Sequence, residues 1–366
     1  MQKVKIAFIL YDVSILGGAE KVSVNVANAL SKYYEVYIVS LQGNIVYPDY
    51  DIDPSIKVCY LNVSSDRLRY QIKEAFTPLR RFLSFNKIDV ALLEGNYCGF
   101  ISSFARPFVK TKFIFCDHGA FLNQYKDYTI RYMRRSATLL CDHTVVLTEK
   151  SRNDYIDYFH IKDKNISCIY NWAEEKYINN KRMYDTSSRV IISVGRFGPE
   201  KGYDQLVKVA NIILPKHKSW KWFVYGDGET FDEIVKMVEN YGLKEQLILA
   251  GVSNRLEEIY SQAAFLVLPS YREGMPLVLL EAKSFKLPLV SFDIITGPGE
   301  IIQNGVNGFL ITPYDIEEMA RKVEVLIKDA DLRESMSSHA YDNISLFRKD
   351  NIVKKWRGLL DSLISR

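Results

Sequence analysis

The stretch FLVLPSYREGMPLVLLEAKSF, residues 265–285, joins a short apolar run to a second apolar run through a charged loop. The first run, 265–268, predicts a buried strand that ends at Pro269. Pro276 is predicted to be the first residue of a helix, because the missing N–H of proline costs nothing there. The apolar residues 277–280 predict a helix that is buried on most of its circumference, as is typical beside a parallel sheet.

Two glutamates stand out in this strand–loop–helix segment: Glu273 in the loop and Glu281 within the helix. Together they can hold a polyhydroxylated ligand, and free N–H groups of the first helical turn can bind anionic groups. Each also has a purely structural interpretation, since a glutamate near a helix start compensates the dipole and Glu281 can lie on a solvated face. The surrounding apolar residues favour burial, and a buried carboxylate needs a partner.

The 366 residues exceed a comfortable single core, so we expect two domains of about 170 to 180 residues. No apolar run reaches the roughly 18 residues that span a bilayer. The apolar part of the N-terminal segment, Ile6 to Leu10, is too short for a signal peptide and predicts a first strand.

Short β-rich runs alternate with helical patterns along the whole chain, which predicts an α/β protein with doubly wound parallel sheets. The polar stretch 171–188 predicts a linker, and an apolar stripe from Ile352 to Leu363 predicts a terminal helix that covers a surface. Two such domains facing one another place a ligand cleft at the carboxyl ends of their strands. The candidate strands are 5–10, 36–40, 56–61, 90–94, 112–116, 143–147 and 166–170, then 189–195, 220–226, 247–251, 265–270, 288–292 and 308–312.

Three further segments follow predicted strands. Gly17 and Gly18 precede a helix and let a ligand approach the backbone, although a helix-initiating turn explains them equally well. Arg196 and Lys201 lie five residues apart in a Gly/Pro loop and can clamp a diphosphate, or can be ordinary surface charges. His118 follows the strand 112–116 and is either a ligand-binding or a structural histidine.

Metal and dinucleotide chemistry are disfavoured. Asp51 and Asp53 form a D-x-D pattern, but they follow no apolar strand and predict a turn. The five cysteines lack metal-ligand spacing and indicate small buried side chains in a reducing compartment. No G-x-G-x-x-G fingerprint is present, which argues against an NAD-dependent enzyme.

Basic residues concentrate in the first half, where Tyr60 to Arg135 contains 13 Lys/Arg and 6 Asp/Glu. Two clusters, 67–83 and 131–140, interleave these bases with apolar residues at helical spacing. They predict a solvated helix face or a surface that rests on anionic lipid, where each base contributes about 1 kcal/mol. Nucleic acid is a weaker alternative because no recognition module is present.

The ordered set of motifs resembles the retaining glycosyltransferases of family 4, which have the GT-B fold. These motifs are GGAE (17–20), the histidine of CDHGAF, VGRFGPEKG (194–202), VYGDGE, LAGV, the Glu-x7-Glu segment and TGPGEIIQNGVNGFL (296–310). The resemblance implies an acceptor-side domain over 1–172, a nucleotide-sugar domain over 173–345, and a terminal helix, about 346–366, that returns to the first domain. Met275-Pro276 departs from the family, since many relatives have Phe after the Glu-Gly pair.

The resemblance also assigns roles. Arg196 and Lys201 hold the diphosphate of the donor, Glu281 accepts from the ribose hydroxyls, and Glu273 contacts the donor sugar near the reacting carbon. His118 binds a sugar hydroxyl and helps to orient the transfer, and no metal is required. The remaining donor-site residues are Gly17 and Gly18 over the phosphate, the amides of Met275 and Leu277 with Pro276 between them, and Val252 at the base pocket.

These inferences predict a retaining glycosyltransferase that moves a hexose or N-acetylhexosamine from a UDP-sugar, with GDP as the alternative nucleotide. The expected acceptor is a lipid-linked saccharide in capsule, lipopolysaccharide or similar glycan assembly. The expected location is the cytoplasmic face of the membrane, reached through the basic helices 67–81 and 131–135. Two alternatives stay open: transfer to a small soluble acceptor, and a non-catalytic protein that binds nucleotide-sugars or glycans.

Overall fold

A computed structural model describes residues 3–15, 17–43, 50–178 and 184–365. The chain divides into two compact units. The first contains the residues up to Asn171 together with those from Asp350 onward, and the second runs from Trp172 to Lys349.

The first unit contains a parallel sheet of seven strands in the order β3-β2-β1-β4-β5-β6-β7. The chain winds outward from β1 in one direction and then returns to continue from β4 in the other, so the sheet is doubly wound. The strands are β1 Lys5–Leu10, β2 Glu35–Ser40, β3 Lys57–Tyr60, β4 Val90–Glu94, β5 Lys112–Asp117, β6 His143–Val146 and β7 Ile166–Cys168. The helices are α1 Gly18–Leu30, α2 Leu68–Asn86, α3 Asn96–Ser103, α4 Tyr128–Leu140 and α5 Glu149–Phe159.

The second unit repeats this plan with six parallel strands in the order β10-β9-β8-β11-β12-β13. Its winding direction reverses between β8 and β11. The strands are β8 Val190–Val194, β9 Lys221–Tyr225, β10 Leu247–Gly251, β11 Phe265–Leu268, β12 Leu289–Phe292 and β13 Gly308–Ile311. The helices are α6 Glu175–Ile178, α7 Tyr203–Ile213, α8 Phe231–Asn240, α9 Leu256–Gln262, α10 Leu277–Ser284, α11 Pro298–Ile301, α12 Ile316–Lys328 and α13 Ala330–Ser338.

The central strands form the core of each unit. Every residue of β4 and β11 is buried, because helices cover both faces of a parallel sheet. Continuous apolar runs of this kind are the signal that identified the strands in the sequence, and each predicted strand is present with ends that differ by at most two residues. The α/β, doubly wound fold class is therefore confirmed.

The terminal helix α14, Lys349–Ile364, follows the second unit in sequence but belongs to the first unit from its second residue onward. Its apolar stripe is buried at Ile352, Trp356 and Leu360, and Leu359 is half-buried. The Tyr34 hydroxyl donates to Asp361 at 2.9 Å, which connects the helix to the turn between α1 and β2.

Two local predictions need correction. Helix α10 begins at Leu277, and Pro276 is its N-cap with an extended backbone, because ψ at Pro276 is 112°. The predicted linker 171–188 is not a plain polar connection. Ala173 and Tyr177 are buried, and the Tyr177 ring lies 5.1 Å from that of Phe285. Residues 179–183 of that stretch lie outside the described residues.

In the part of the chain that the structure describes, no helix combines the length and apolar character needed to cross a bilayer. The D-x-D pattern forms the predicted turn, since Asp53 accepts hydrogen bonds from the amide and hydroxyl of Ser55.

Candidate functional site

The loops that follow β8 and β11 meet at the point where the second sheet reverses its winding direction. Ligands of doubly wound sheets bind at such points, outside the carboxyl ends of the strands. Lys201 comes from the first loop and Glu273 from the second, and Lys201 Nζ donates to Glu273 Oε1 at 2.7 Å. The Ser270 hydroxyl donates to the same oxygen, also at 2.7 Å. The two predicted residues are therefore brought together, with side chains only 19% and 9% exposed.

Backbone contacts hold these two loops against each other. Gly202 has φ +67°, and a Cβ added there would lie 2.1 Å from the carbonyl oxygen of Pro269. The Tyr271 amide donates to the Glu200 carbonyl at 2.8 Å. Glycine at 202 is therefore required both by the left-handed conformation and by the close approach of the second loop.

Arg196 lies in the same loop as Lys201 but is far more accessible. Its side chain is 61% exposed, and Nη2 donates to Glu200 Oε1 at 2.9 Å. Each of the two residues predicted to bind the diphosphate thus has a carboxylate partner, Glu200 for Arg196 and Glu273 for Lys201. A bound diphosphate has to share or displace these carboxylates, and the clamp stays a prediction.

Glu281 is buried, with 5% of the residue exposed, so its interpretation as a solvated face residue is wrong. The Tyr260 hydroxyl of α9 donates to Glu281 Oε2 at 2.8 Å. Burial and the neighbouring Glu281 charge raise the pKa of Tyr260 well above its usual value, so Tyr260 stays protonated and donates. The sequence analysis predicted that this carboxylate has a partner, and the structure contains one. Nothing in the sequence indicated that the partner is Tyr260. A role of Glu281 at the ribose stays a prediction.

The segment that contains TGPG packs directly on the Glu273 loop. The Thr296 hydroxyl donates to the Glu273 carbonyl at 2.7 Å. Gly297 has φ +97°, and a Cβ there would lie 2.8 Å from Pro276 Cδ and 2.9 Å from the Gly274 carbonyl oxygen. Thr296 and Gly297 therefore fix the backbone that carries Glu273, a function that sequence reasoning missed.

The remaining predicted donor residues of this unit differ in exposure. Met275 is 5% exposed and Leu277 is half-buried, so both lie at the buried start of α10. Val252 directly follows β10 and is 73% exposed, which leaves it accessible to a ligand.

The first unit contains a second group of polar residues at the carboxyl ends of two neighbouring strands. Glu94 is the last residue of β4, and His118 directly follows β5. His118 Nε2 lies 2.6 Å from Glu94 Oε2. Glu94 was not identified from the sequence, although a glutamate that ends the apolar run VALLE at a strand's carboxyl end is a usable signal.

The charges around His118 favour its cationic form. Burial lowers the pKa of His118, but the hydrogen bond and charge of Glu94, with the charges of Asp117 and Glu20, raise it above its usual value overall. Burial is also the main reason that the pKa of Glu20, in the first turn of α1, is raised.

A buried ion pair anchors the residue that precedes His118. Arg134 Nε lies 2.9 Å from Asp117 Oδ2, and the Tyr155 hydroxyl donates to the same carboxylate at 2.5 Å. The Arg134 side chain is fully buried. The prediction that Arg134 belongs to a lipid-facing basic surface is therefore wrong, because its guanidinium neutralises Asp117. Arg135 and the α2 residues Arg80 and Arg81 are exposed.

Gly17 and Gly18 lie at the start of α1, as predicted. Gly17 is the N-cap, and its amide donates to the Tyr50 hydroxyl at 2.9 Å. Neither glycine has a left-handed φ, and a Cβ at Gly18 would meet no atom of the described residues within 4 Å.

With two doubly wound units and polar residues at the carboxyl ends of both sheets, the chain matches two family models. The model described as "Glycosyltransferase Family 4" matches residues 16–176, and the model described as "Glycosyl transferases group 1" matches residues 175–343. The chain belongs to the family 4-like glycosyltransferases, which have the GT-B fold.

Curated relatives match over nearly the whole chain. An uncharacterized glycosyltransferase of Haemophilus influenzae is 28% identical over 97% of this chain and 99% of its own length. The amylovoran biosynthesis glycosyltransferase AmsD of Erwinia amylovora is 26% identical over 98% of this chain and 99% of its own length. An alpha-1,4-N-acetyl-D-galactosaminyltransferase of Campylobacter jejuni, whose name includes an oligosaccharide on PP-undecaprenol, is 25% identical over 97% and 98%.

Solved structures share the fold at low sequence identity. TarM of Staphylococcus aureus, as a variant in complex with UDP and other ligands, superposes with a TM-score of 0.83 at 18% identity over 98% of this chain and 100% of that chain. HepE of Anabaena, in complex with UDP, superposes with a TM-score of 0.80 at 17% identity over the same shares.

Proposed function

We propose that the chain is a retaining glycosyltransferase that moves a hexose or N-acetylhexosamine from a UDP-sugar to a saccharide acceptor in cell-surface glycan assembly. The observation that carries this proposal is the pair Lys201–Glu273 at the winding reversal of the second sheet, with Arg196 in the same loop. A cation for the leaving diphosphate and a carboxylate for the sugar thus lie together at the carboxyl edge of the second sheet.

The charges fit the reaction. When the bond between the anomeric carbon and the phosphate breaks, negative charge develops on the diphosphate and positive charge on the sugar. Lys201 and Arg196 stabilise the negative charge on the diphosphate. Glu273, at hydrogen-bond distance from Lys201, stabilises the positive charge on the sugar. We propose that these residues act without a metal ion. UDP as the nucleotide is supported by TarM and HepE, whose structures contain it.

Retention is supported by the products that the relatives' names describe. UDP-hexoses of the common series carry the diphosphate in the α configuration, and the Campylobacter relative is named as an alpha-transferase. Transfer from an α donor to an α product retains configuration. We propose that the departing phosphate accepts the acceptor proton, so that no carboxylate nucleophile is needed, in contrast to retaining glycosidases.

A lipid-linked acceptor is the finer part of the proposal. It is supported by the name of the Campylobacter relative, which includes PP-undecaprenol, and by exposed bases on the first unit. We propose that Arg80, Arg81 and Arg135 contact anionic lipid at the cytoplasmic face of the membrane.

A panel of nucleotide-sugars tests the function. The purified protein is incubated with UDP-hexoses, UDP-N-acetylhexosamines and GDP-mannose, and the release of UDP or GDP is measured with polyprenyl-diphosphate saccharides or free saccharides as acceptors. We expect UDP release from one donor class, faster with the lipid-linked acceptor, and loss of turnover in Glu273→Gln. Binding of a UDP-sugar without turnover under any acceptor would instead identify a binding protein. Equal rates with free saccharides would identify a transferase for soluble acceptors.

A further inference from the structure

Among the described residues, the imidazole of His118 has a hydrogen-bond partner at one of its two nitrogens. Nε2 lies 2.6 Å from Glu94 Oε2, whereas Nδ1 is shielded from solvent and has no hydrogen-bond partner among the described residues. The Glu94 and His118 side chains are 6% and 14% exposed. A buried polar atom without a hydrogen-bond partner is destabilising, and such atoms in native proteins often belong to functional sites.

The charges of three carboxylates act on His118: Glu94 at the end of β4, Asp117 at the end of β5 and Glu20 in the first turn of α1. Asp117 is already neutralised by Arg134 and holds the Tyr155 hydroxyl. Glu94 is the carboxylate within hydrogen-bond distance of the ring, and it contacts the Nε2 side.

We propose that Glu94 is a positioning residue for His118, keeping a proton on Nε2 and leaving Nδ1 as the atom that binds a substrate sugar hydroxyl. A carboxylate that accepts from one imidazole nitrogen fixes the tautomer and orientation of the ring. With Nε2–H held by Glu94, the proton that His118 gains or loses on titration is carried by Nδ1. The identity of the hydroxyl rests on the proposed function, but the fixed Nε2–H and the charge of the ring are properties of the ligand-free protein.

The first test measures the ligand-free protein. The imidazole resonances are titrated by NMR, with His118 assigned by comparison with His118→Gln. Glu94→Gln keeps a hydrogen-bond acceptor but removes the charge, so we expect about a tenfold loss of proton affinity at His118. Glu94→Asp keeps the charge and should therefore keep most of the proton affinity of His118. Glu20→Gln removes a nearby charge that is not hydrogen-bonded to the ring and should have a smaller effect. An unchanged titration of His118 in Glu94→Gln would overturn the inference.

The second test measures catalysis. If protonated Nδ1 donates to the substrate, activity falls as pH rises through the pKa of His118, and the alkaline limb of the kcat/KM profile should move to lower pH in Glu94→Gln. Glu94→Asp should return the limb towards its wild-type position, which a purely structural role would not do. A limb that stays in place despite a shifted NMR titration would overturn the catalytic part. Absence of turnover with every donor, together with the expected NMR shift, would refute the proposed function and leave the Glu94–His118 pairing supported.

Discussion

Gly18 begins helix α1, and a Cβ added there would meet no atom of the described residues within 4 Å. Alanine should fit there without strain, so we expect Gly18→Ala to keep or slightly raise the thermal stability of the protein. If a donor phosphate approaches this backbone, as the resemblance to family 4 implies, the added methyl group should raise KM for the nucleotide-sugar by about tenfold, or ~1.4 kcal/mol. Gly358→Ala in α14 is the matched control, since a Cβ there also meets no atom of the described residues within 4 Å. Wild-type kinetics in Gly18→Ala would remove Gly18 from the site.

Glu273 and Glu281 belong to one segment but differ in their partners. Glu273 shares a hydrogen bond with Lys201, whereas Glu281 is buried against Tyr260. We expect Glu273→Gln to lower kcat mainly, and Glu281→Ala to weaken donor binding mainly. Steady-state kinetics with UDP calorimetry separates the two effects. Normal kinetics in either variant would contradict the role given to that residue.

The contact between the loops that follow β8 and β11 can be tested by comparing alanine substitutions at two glycines. Both glycines have a left-handed backbone, but one of them also lies against the other loop. Gly202 and Gly242 have φ of +67° and +66°, but only the Cβ at Gly202 would collide with backbone, at 2.1 Å. Both alanine variants should lose about 1–2 kcal/mol from the left-handed conformation. Gly202→Ala should lose a further ~1–3 kcal/mol from overpacking and should also bind UDP more weakly. Chemical denaturation measures the difference, and equal losses would show that the loops do not need this contact.

The elements themselves could be predicted because their signal is local. Strands such as β4 and β11 are continuous apolar runs, and such runs identify buried parallel strands without knowledge of their neighbours. The predicted start of helix α10 differs from the observed start by one residue, because proline is compatible with both the N-cap and the first helical position. The stretch after Asn171 looked polar, yet Ala173 and Tyr177 are buried by residues far away in the sequence.

The partners within the site could not be predicted because they are distant in sequence. His118 pairs with Glu94 across 24 residues, Glu281 with Tyr260 across 21, and Thr296 with the Glu273 carbonyl across 23. Spacing along a chain does not show which side chains of adjacent strands and loops meet. The prediction that Arg134 faces lipid was wrong for the same reason. Helical periodicity placed this residue in a basic cluster, whereas its ion pair with Asp117 lies in the core.

At the scale of the whole molecule, charge on the first unit should control its attachment to membranes. Arg80, Arg81 and Arg135 are exposed, and each base contributes about 1 kcal/mol near an anionic surface. Reversing all three to glutamate should release the protein from vesicles that contain phosphatidylglycerol, as measured by co-sedimentation. Arg255→Glu is the control, because Arg255 is 78% exposed but lies in the second unit. Undiminished binding of the triple variant would refute the proposed lipid surface.

The proposed function depends most directly on the cations in the loop after β8. Isothermal titration calorimetry with UDP on the wild type, Lys201→Ala and Arg196→Ala measures their contribution without any knowledge of the acceptor. We expect affinity to fall in both variants, by about tenfold or more in Lys201→Ala, because a charge-assisted hydrogen bond to phosphate contributes roughly 1.5–3 kcal/mol. Wild-type affinity in both variants would place the nucleotide elsewhere and contradict the account.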